Sequence, residues 1–136
     1  MTKNNKLIST LHIPIRWVDL DAYGHVGNAK YFEYMSEARI TLFGEAFTES
    51  HLHYVVADTH CVYKKPLLYP STIILRQFLK EIGRTYMVFY YELYVAGDES
   101  KTVYAECTTK IVCFDPKKKK IVRIPDEMKI NLGSTK

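Results

Sequence analysis

The chain predicts an α+β fold in which one long helix packs on an antiparallel sheet. Two observations carry this. From Ala29 to Phe47 apolar residues recur at helical spacing, and from Tyr54 to Ile124 they alternate mostly at strand spacing. The breaks between the later runs are short and marked by Gly or Pro, as hairpin connections are.

Residues 1–9 read as a loose tail. Thr10 to Val18 reads as a first strand, with Pro14 marking an edge position or a bulge. Strand alternation stops near Leu20. Gly24 and Gly27 follow where the chain must turn, and Asn28 is a suitable helix N-cap. Within the helix, Tyr31, Tyr34, Met35, Ala38 and Leu42 form one apolar stripe, and Lys30, Glu33, Glu37 and Thr41 a polar one. Gly44 weakens the last turn, and Glu49 to His53 connects to the sheet.

Four strands follow: Tyr54 to Tyr63, Ser71 to Ile82, Thr85 to Ala96 and Lys101 to Phe114. A short fifth spans Ile121 to Ile124, and Pro125 onward, with 126–136, reads as a second loose tail. Gly83-Arg84 makes a two-residue turn, and Lys117 to Lys120 is a solvated turn beside an edge strand. No repeat or linker divides the chain, so 1–136 reads as a single domain. One helix covers one sheet face. The other face carries Tyr86, Tyr90 and Tyr94, or Met87, Phe89, Tyr91 and Leu93, depending on register. Either set is too apolar to stay fully wet, so an oligomer is expected.

Composition narrows the function classes. A net charge of +4 over 136 residues lacks the dense basic face of a nucleic-acid binder. No stretch approaches the ~20 apolar residues of a membrane span. The first nine residues hold no apolar signal core, so the cytoplasm is the expected location. Cys61, Cys107 and Cys113 form no C-x-x-C and read as small buried hydrophobes in a reducing compartment. No G-x-S-x-G occurs, and His60-Cys61 is no thiol dyad because neighbours on a strand face opposite sides.

Between first strand and helix stand one carboxylate, Asp21, and one imidazole, His25. The positive end of a helix dipole favours a negative group placed there. Such a carboxylate attacks an electrophile or takes a proton from water, or it simply caps the helix. Asp19 alternates with Asp21 and reads as a structural ion pair; no further acid or histidine joins them as a metal site. Glu33 and Glu37 lie on the polar stripe and read as exposed. His25 is read equally as a loop anchor, and His51-x-His53 as a polar loop.

Arg16-Trp17-x-Asp19-x-Asp21-x-x-Gly24-His25-Val26-x-Asn28-x-x-Tyr31-x-x-Tyr34-x-x-x-Ala38-Arg39 resembles the signature of hot-dog-fold acyl-CoA thioesterases. The branch it is similar to is the 4-hydroxybenzoyl-CoA thioesterase type, with YbgC-like and FadM-like enzymes. Gly83-Arg84-Thr85 and Phe114-Asp115-Pro116 agree with it. The resemblance spans about residues 10–125. It implies a curved antiparallel sheet of five or six strands wrapped around a central helix, paired as a homodimer and often as a homotetramer. It implies an acyl-CoA substrate, hydrolysed with Asp21 as nucleophile or general base. Backbone N–H groups, some near His51 to Tyr54, polarise the carbonyl. No cofactor is implied beyond the coenzyme A of the substrate. YbgC-like members carry His where this chain has Asn28 and Gly-Gly where it has Gly24-His25, and many relatives carry Asn at Gly27. The helper role therefore falls on His25, on Asn28 or on neither. Arg84 and Thr85 are implied contacts for coenzyme A phosphates, with Lys64 and Lys65 as weaker ones. The alternative function is a non-catalytic hot-dog module binding acyl-CoA or an acyl carrier protein; a hydratase would need an acid–histidine pair in another motif.

Overall fold

The computed structural model describes residues 5–44 and 51–132. Among them six strands form one antiparallel sheet: β1 (Lys6–Pro14), β2 (His53–Tyr63), β3 (Thr72–Ile82), β4 (Tyr86–Val95), β5 (Ala105–Asp115) and β6 (Lys120–Ile121). The order is β1-β3-β4-β5-β2, with β6 also on β5. One helix, α1 (Asn28–Phe43), precedes β2, and a short α2 (Asp126–Asn131) follows β6.

The register decides which side chains face α1. Ile73 and Leu75 of β3, Met87, Phe89, Tyr91 and Leu93 of β4, and Cys107 and Ile111 of β5 are buried on the inner face. Tyr86, Tyr90 and Tyr94 therefore point outward. Tyr90 and Tyr94 donate to the two oxygens of Glu92 at 3.3 and 2.8 Å, and Tyr86 donates to Glu81. Arg76 lies over the Tyr94 ring and Lys110 over the Tyr86 ring, at 5.3 and 4.6 Å from their centroids. The outer face is thus a lattice of tyrosines and charges rather than a bare apolar surface.

α1 packs on the inner face through Tyr31, Tyr34, Met35, Ala38 and Phe43. Its start meets the Tyr63 end of β2, where the Tyr31 and Tyr63 rings meet edge to face at 4.7 Å. Its end meets the opposite end of β2, where Phe43 stacks on Tyr54 at 6.2 Å. Arg39 is also buried. Its guanidinium donates to Tyr91 Oη at 3.2 Å and Ser36 Oγ at 3.2 Å. The Tyr91 hydroxyl donates to Gln77 Oε1 at 2.6 Å, and Gln77 Nε2 donates to Ser9 Oγ at 2.9 Å. Each buried polar group in this chain of contacts is satisfied, which keeps the burial affordable.

Several boundaries differ from the sequence expectation. The first strand runs over Lys6–Pro14, so residues 6–9 are ladder rather than tail, and Trp17–Asp19 is one 3₁₀ turn. The helix begins at Asn28 with Gly27 as N-cap, and Asn28 makes no side-chain capping bond. The helix ends at Phe43 with Gly44 at φ +53; residues 45–47 of the expected helix lie outside the described residues. Gly83 N–H bonds Tyr86 O at 2.8 Å, so the two loop residues of the β3–β4 hairpin are Arg84 and Thr85. The fourth expected strand starts only at Ala105, and the last is just Lys120–Ile121. The expected C-terminal tail holds α2, anchored by the buried Met128 and Leu132; residues 133–136 lie outside the described residues. Lys117 and Lys118 donate their N–H groups to Asp115 Oδ1 in the exposed turn from β5 into β6, which pairs only with β5 among the described residues. Cys61 and Cys107, directly opposite across β2 and β5, are joined as a disulfide, while Cys113 is a free, buried thiol.

Candidate active site

The chain leaves β1 at Pro14, and Ile15 N–H still bonds Ser71 O at 2.9 Å. Asp19 then folds it. Its carboxylate accepts Arg16 N–H at 3.0 Å and Arg16 Nη2 at 2.9 Å, closing the 3₁₀ turn. Tyr34 of α1 donates its hydroxyl to the same carboxylate at 3.0 Å, and Asp19 is only 2% exposed. Burial pushes the Asp19 pKa up, but hydrogen bonds from Arg16 and Tyr34 and the Arg16 charge outweigh it and hold the group below its ordinary value. Asp19 is the brace that sets the angle between strand end and helix.

Asp21 lies in the loop this brace supports. Leu20 and Val26 bridge one another, and Asp21 N–H bonds His25 O at 2.8 Å. Gly24, at φ +86, closes the loop tip with its N–H on Asp21 O at 3.1 Å. Asp21 Oδ1 accepts Tyr23 N–H at 2.9 Å, which fixes the carboxylate plane. His25 Nδ1 stands 3.9 Å from Asp21 Oδ2, outside hydrogen-bond range. Gly27, the N-cap of α1, packs against Asp21: a Cβ built there would sit 3.7 Å from the Asp21 Cβ. With φ at −69, Gly27 needs no glycine for its backbone. Among the described residues no hydrogen bond uses the N–H of Asn28 or Ala29, the first two of α1. Asp21 is thus an exposed carboxylate beside the N-cap of α1, and it is not among the residues lining the adjoining cleft.

A cleft of 270 Å³ opens beside this loop, lined by His25, Asn28, Tyr31, Tyr63, Lys64 and Lys65 among others. Burial raises the Tyr31 pKa to about 12. The loop and the β2–β3 connection are tied by Val26 N–H on Leu67 O at 2.9 Å. Lys64 Nζ is held by Glu106 Oε2 at 3.2 Å on the cleft rim. A larger cleft of 420 Å³ lies elsewhere, between β1 and α1. Glu33 and Glu37 line that one, and both are exposed. Its buried acid, Asp19, has every contact occupied by the brace.

The structure thus gathers Asp21, His25, Asn28 and Lys64 at one end of the sheet. It does not bring Arg84 and Thr85 to them. Tyr86 pairs with Val112 and His53 with Phe114, so the β3–β4 turn and the start of β2 share the far end. Ten strand residues, about 33 Å, separate that end from Tyr63. The expected oxyanion donors near His51 to Tyr54 lie at that far end too. Tyr63 lines the cleft although nothing in its spacing singles it out. Tyr31 was visible only as part of the motif, because its approach to Tyr63 depends on how helix and edge strand pack.

One long helix packed on an antiparallel sheet with this strand order is the hot-dog fold of a family of thioester hydrolases. The chain belongs to the thioesterase-like superfamily, whose model matches residues 15–132. It is similar to a protein of Aquifex aeolicus (strain VF5) named "Putative esterase", 31% identical over 125 residues, covering 84% of this chain and 89% of that one. It is also similar to the long-chain acyl-CoA thioesterase FadM of Escherichia coli (strain K12), 23% identical over 125 residues, covering 88% and 93%. Among solved structures, the Pseudomonas aeruginosa "PA2801 protein, a putative Thioesterase" superposes with a TM-score of 0.84 at 30% identity, covering 92% of this chain and 98% of that one. No helix among the described residues is long and apolar enough to cross a membrane.

Proposed function

We propose that this protein hydrolyses acyl-CoA thioesters at Asp21. The observation that supports the reading is a carboxylate held by Tyr23 N–H in the short loop that leads into α1, whose first two N–H groups, those of Asn28 and Ala29, carry no hydrogen bond among the described residues. A thioester carbonyl oxygen aimed at those N–H groups puts its carbon within reach of Asp21. An Asp21 oxygen attacks that carbon, or takes the proton of a water that attacks it. The charge that develops on the carbonyl oxygen is taken by the helix N–H groups and dipole. The C–S bond then breaks, and coenzyme A leaves as a thiolate that is protonated by solvent. If Asp21 attacked directly, water hydrolyses the acyl-aspartyl anhydride and restores the carboxylate. The proposed steps use no metal or redox cofactor. His25 and Asn28 border the path and position the substrate rather than exchange protons with Asp21.

A second copy of the chain completes this reading. β2 is an edge strand with Val55, Val56 and Val62 exposed at 42, 45 and 51%. Pairing β2 antiparallel with its copy sets the start of one β2 beside the Tyr63 end of the other. The Arg84–Thr85 turn, at the same end as that start, then approaches a cleft whose rim already carries Lys64 and Lys65. Coenzyme A phosphates would be shared between protomers. The tyrosine–charge face of β4 is the surface on which such dimers would pair again.

Thiol release from a panel of short, long and aromatic acyl-CoAs tests the proposal. At least one member is expected to be turned over, with the rate lost in Asp21→Asn. An equal background rate for both proteins across the panel would leave binding without turnover as the surviving reading.

A further inference from the structure

We propose that the lysine turn between β5 and β6 is a docking site for an acidic carrier protein that brings the acyl thioester to the cleft on a flexible arm. Lys117, Lys118, Lys119 and Lys120 follow one another there, and all four are exposed. Hydrogen bonds fix the turn. Asp115 Oδ1 accepts Lys117 N–H at 2.9 Å and Lys118 N–H at 3.2 Å, and Lys119 N–H bonds Asp115 O at 2.7 Å. Lys119 holds φ +57, a region unfavourable to a side chain, so the turn keeps a lysine where glycine would sit without strain. Among the described residues none of the four lysines forms an ion pair. At two residues, β6 is too short an edge to need such a guard. Uncompensated cations on a fixed turn are complementary to an acidic surface.

The turn lies at the His53 end of β2, with β5 next to β2 in the sheet. Within one protomer it stands a full strand length from the cleft. The antiparallel β2 pairing proposed above brings the turn of one copy to two strand spacings, about 10 Å, from the cleft end of the other copy's β2. Delivery to the cleft therefore rests on that pairing and on the hydrolase reading. In that dimer Arg84, Lys64 and Lys65 would meet the coenzyme A phosphates, which leaves the four lysines surplus to free acyl-CoA. The two turns would stand at opposite ends of the joined sheet, so no flat lipid surface meets both. A separate acidic protein at each end, with its thioester arm in the adjacent cleft, satisfies both constraints. Ile121, next after the run and 52% exposed, sets an apolar spot among the charges, as protein interfaces do.

The test titrates the intact protein with an acyl carrier protein in its apo form, which lacks the arm, so that only the docking surface is read. Saturable binding is expected at about 50 mM salt, and binding about tenfold weaker at about 300 mM. The Lys117→Gln/Lys118→Gln/Lys119→Gln variant should bind about tenfold more weakly than wild type at the lower salt. On the acylated carrier that variant should lose about tenfold in kcat/KM with kcat unchanged, while its rate on acyl-CoA holds. No binding of the apo carrier, or equal binding by the triple variant, would overturn the proposal. An equal loss on acyl-CoA would also overturn it, because the lysines would then hold coenzyme A itself. So would a triple variant that loses binding to phosphatidylglycerol vesicles but keeps its affinity for the carrier, which would put a lipid surface at the turn. The apo-carrier titration involves no chemistry. Binding through the turn without thiol release from any acyl-CoA would keep the docking site and remove the hydrolase reading.

Discussion

The Tyr34 hydroxyl donates to Asp19 Oδ2 at 3.0 Å, tying the first-strand exit to the second turn of α1. Asp21, two residues from Asp19, inherits its position from that tie. The two aspartates of the D-x-D pair therefore do different work: one is buried and spent on structure, the other is solvent-facing and held by a single backbone N–H.

Removing the tie should show first in stability. Tyr34→Phe deletes one hydrogen bond to a buried carboxylate, and its expected loss is about 1.5–3 kcal/mol. Asp19→Asn weakens three contacts and should lose at least as much. Urea unfolding midpoints with unchanged slope are the measurement. Midpoints that match wild type would mean that Asp19 does not hold the loop.

The same carboxylate sets the acid limb of the stability curve. The folded Asp19 pKa lies below its ordinary 3.8. Its contribution is thus complete above that ordinary value and is lost as pH falls through the folded one. At the other limb, burial pushes Tyr31 and Tyr91 from 10 to about 12, against a smaller downward pull from Arg39 on Tyr91. Their contribution is complete below pH 10 and declines as pH rises toward 12. Denaturant titrations should show an acid fall that flattens in Asp19→Asn and an alkaline fall that softens in Tyr91→Phe.

The two loop glycines should respond differently. Gly24 holds φ +86, a region unfavourable to any side chain, so Gly24→Ala should cost about 1 kcal/mol and disturb the Asp21 loop. Gly27 has an ordinary φ of −69 and room for a Cβ 3.7 Å from that of Asp21. Gly27→Asn should fold within about 0.5 kcal/mol of wild type. Thermal midpoints of the two variants distinguish them; equal losses would contradict the loop geometry described above.

Much of this arrangement is legible in the residues themselves. Alternation marks β3, β4 and the core of β5, and the Tyr31–Tyr34–Met35–Ala38 stripe marks the face of α1. What escapes has physical causes. Ile15 and Trp17 continue a strand-like alternation, yet the Asp19 side chain captures Arg16 N–H and bends the chain into a 3₁₀ turn. α2 is six residues long, too short for a period to register, and is held by Met128 and Leu132 in the core. The Cys61–Cys107 bond depends on ladder register, which spacing alone does not reveal. The burial of Arg39 is not legible because its partners, Tyr91 and Ser36, meet it only once helix and sheet are packed. At the candidate site, the motif points to Asp21, His25 and Asn28, whereas the separation of Arg84 from them emerges only from strand order.

The central claim is tested most directly by kcat/KM of Asp21→Asn on the best acyl-CoA of the panel, with the thermal midpoint taken on the same sample. Loss of a positioned base or nucleophile predicts a fall of about 10²- to 10⁴-fold at an unchanged midpoint. Thiol release at the wild-type rate from a folded Asp21→Asn protein would contradict it.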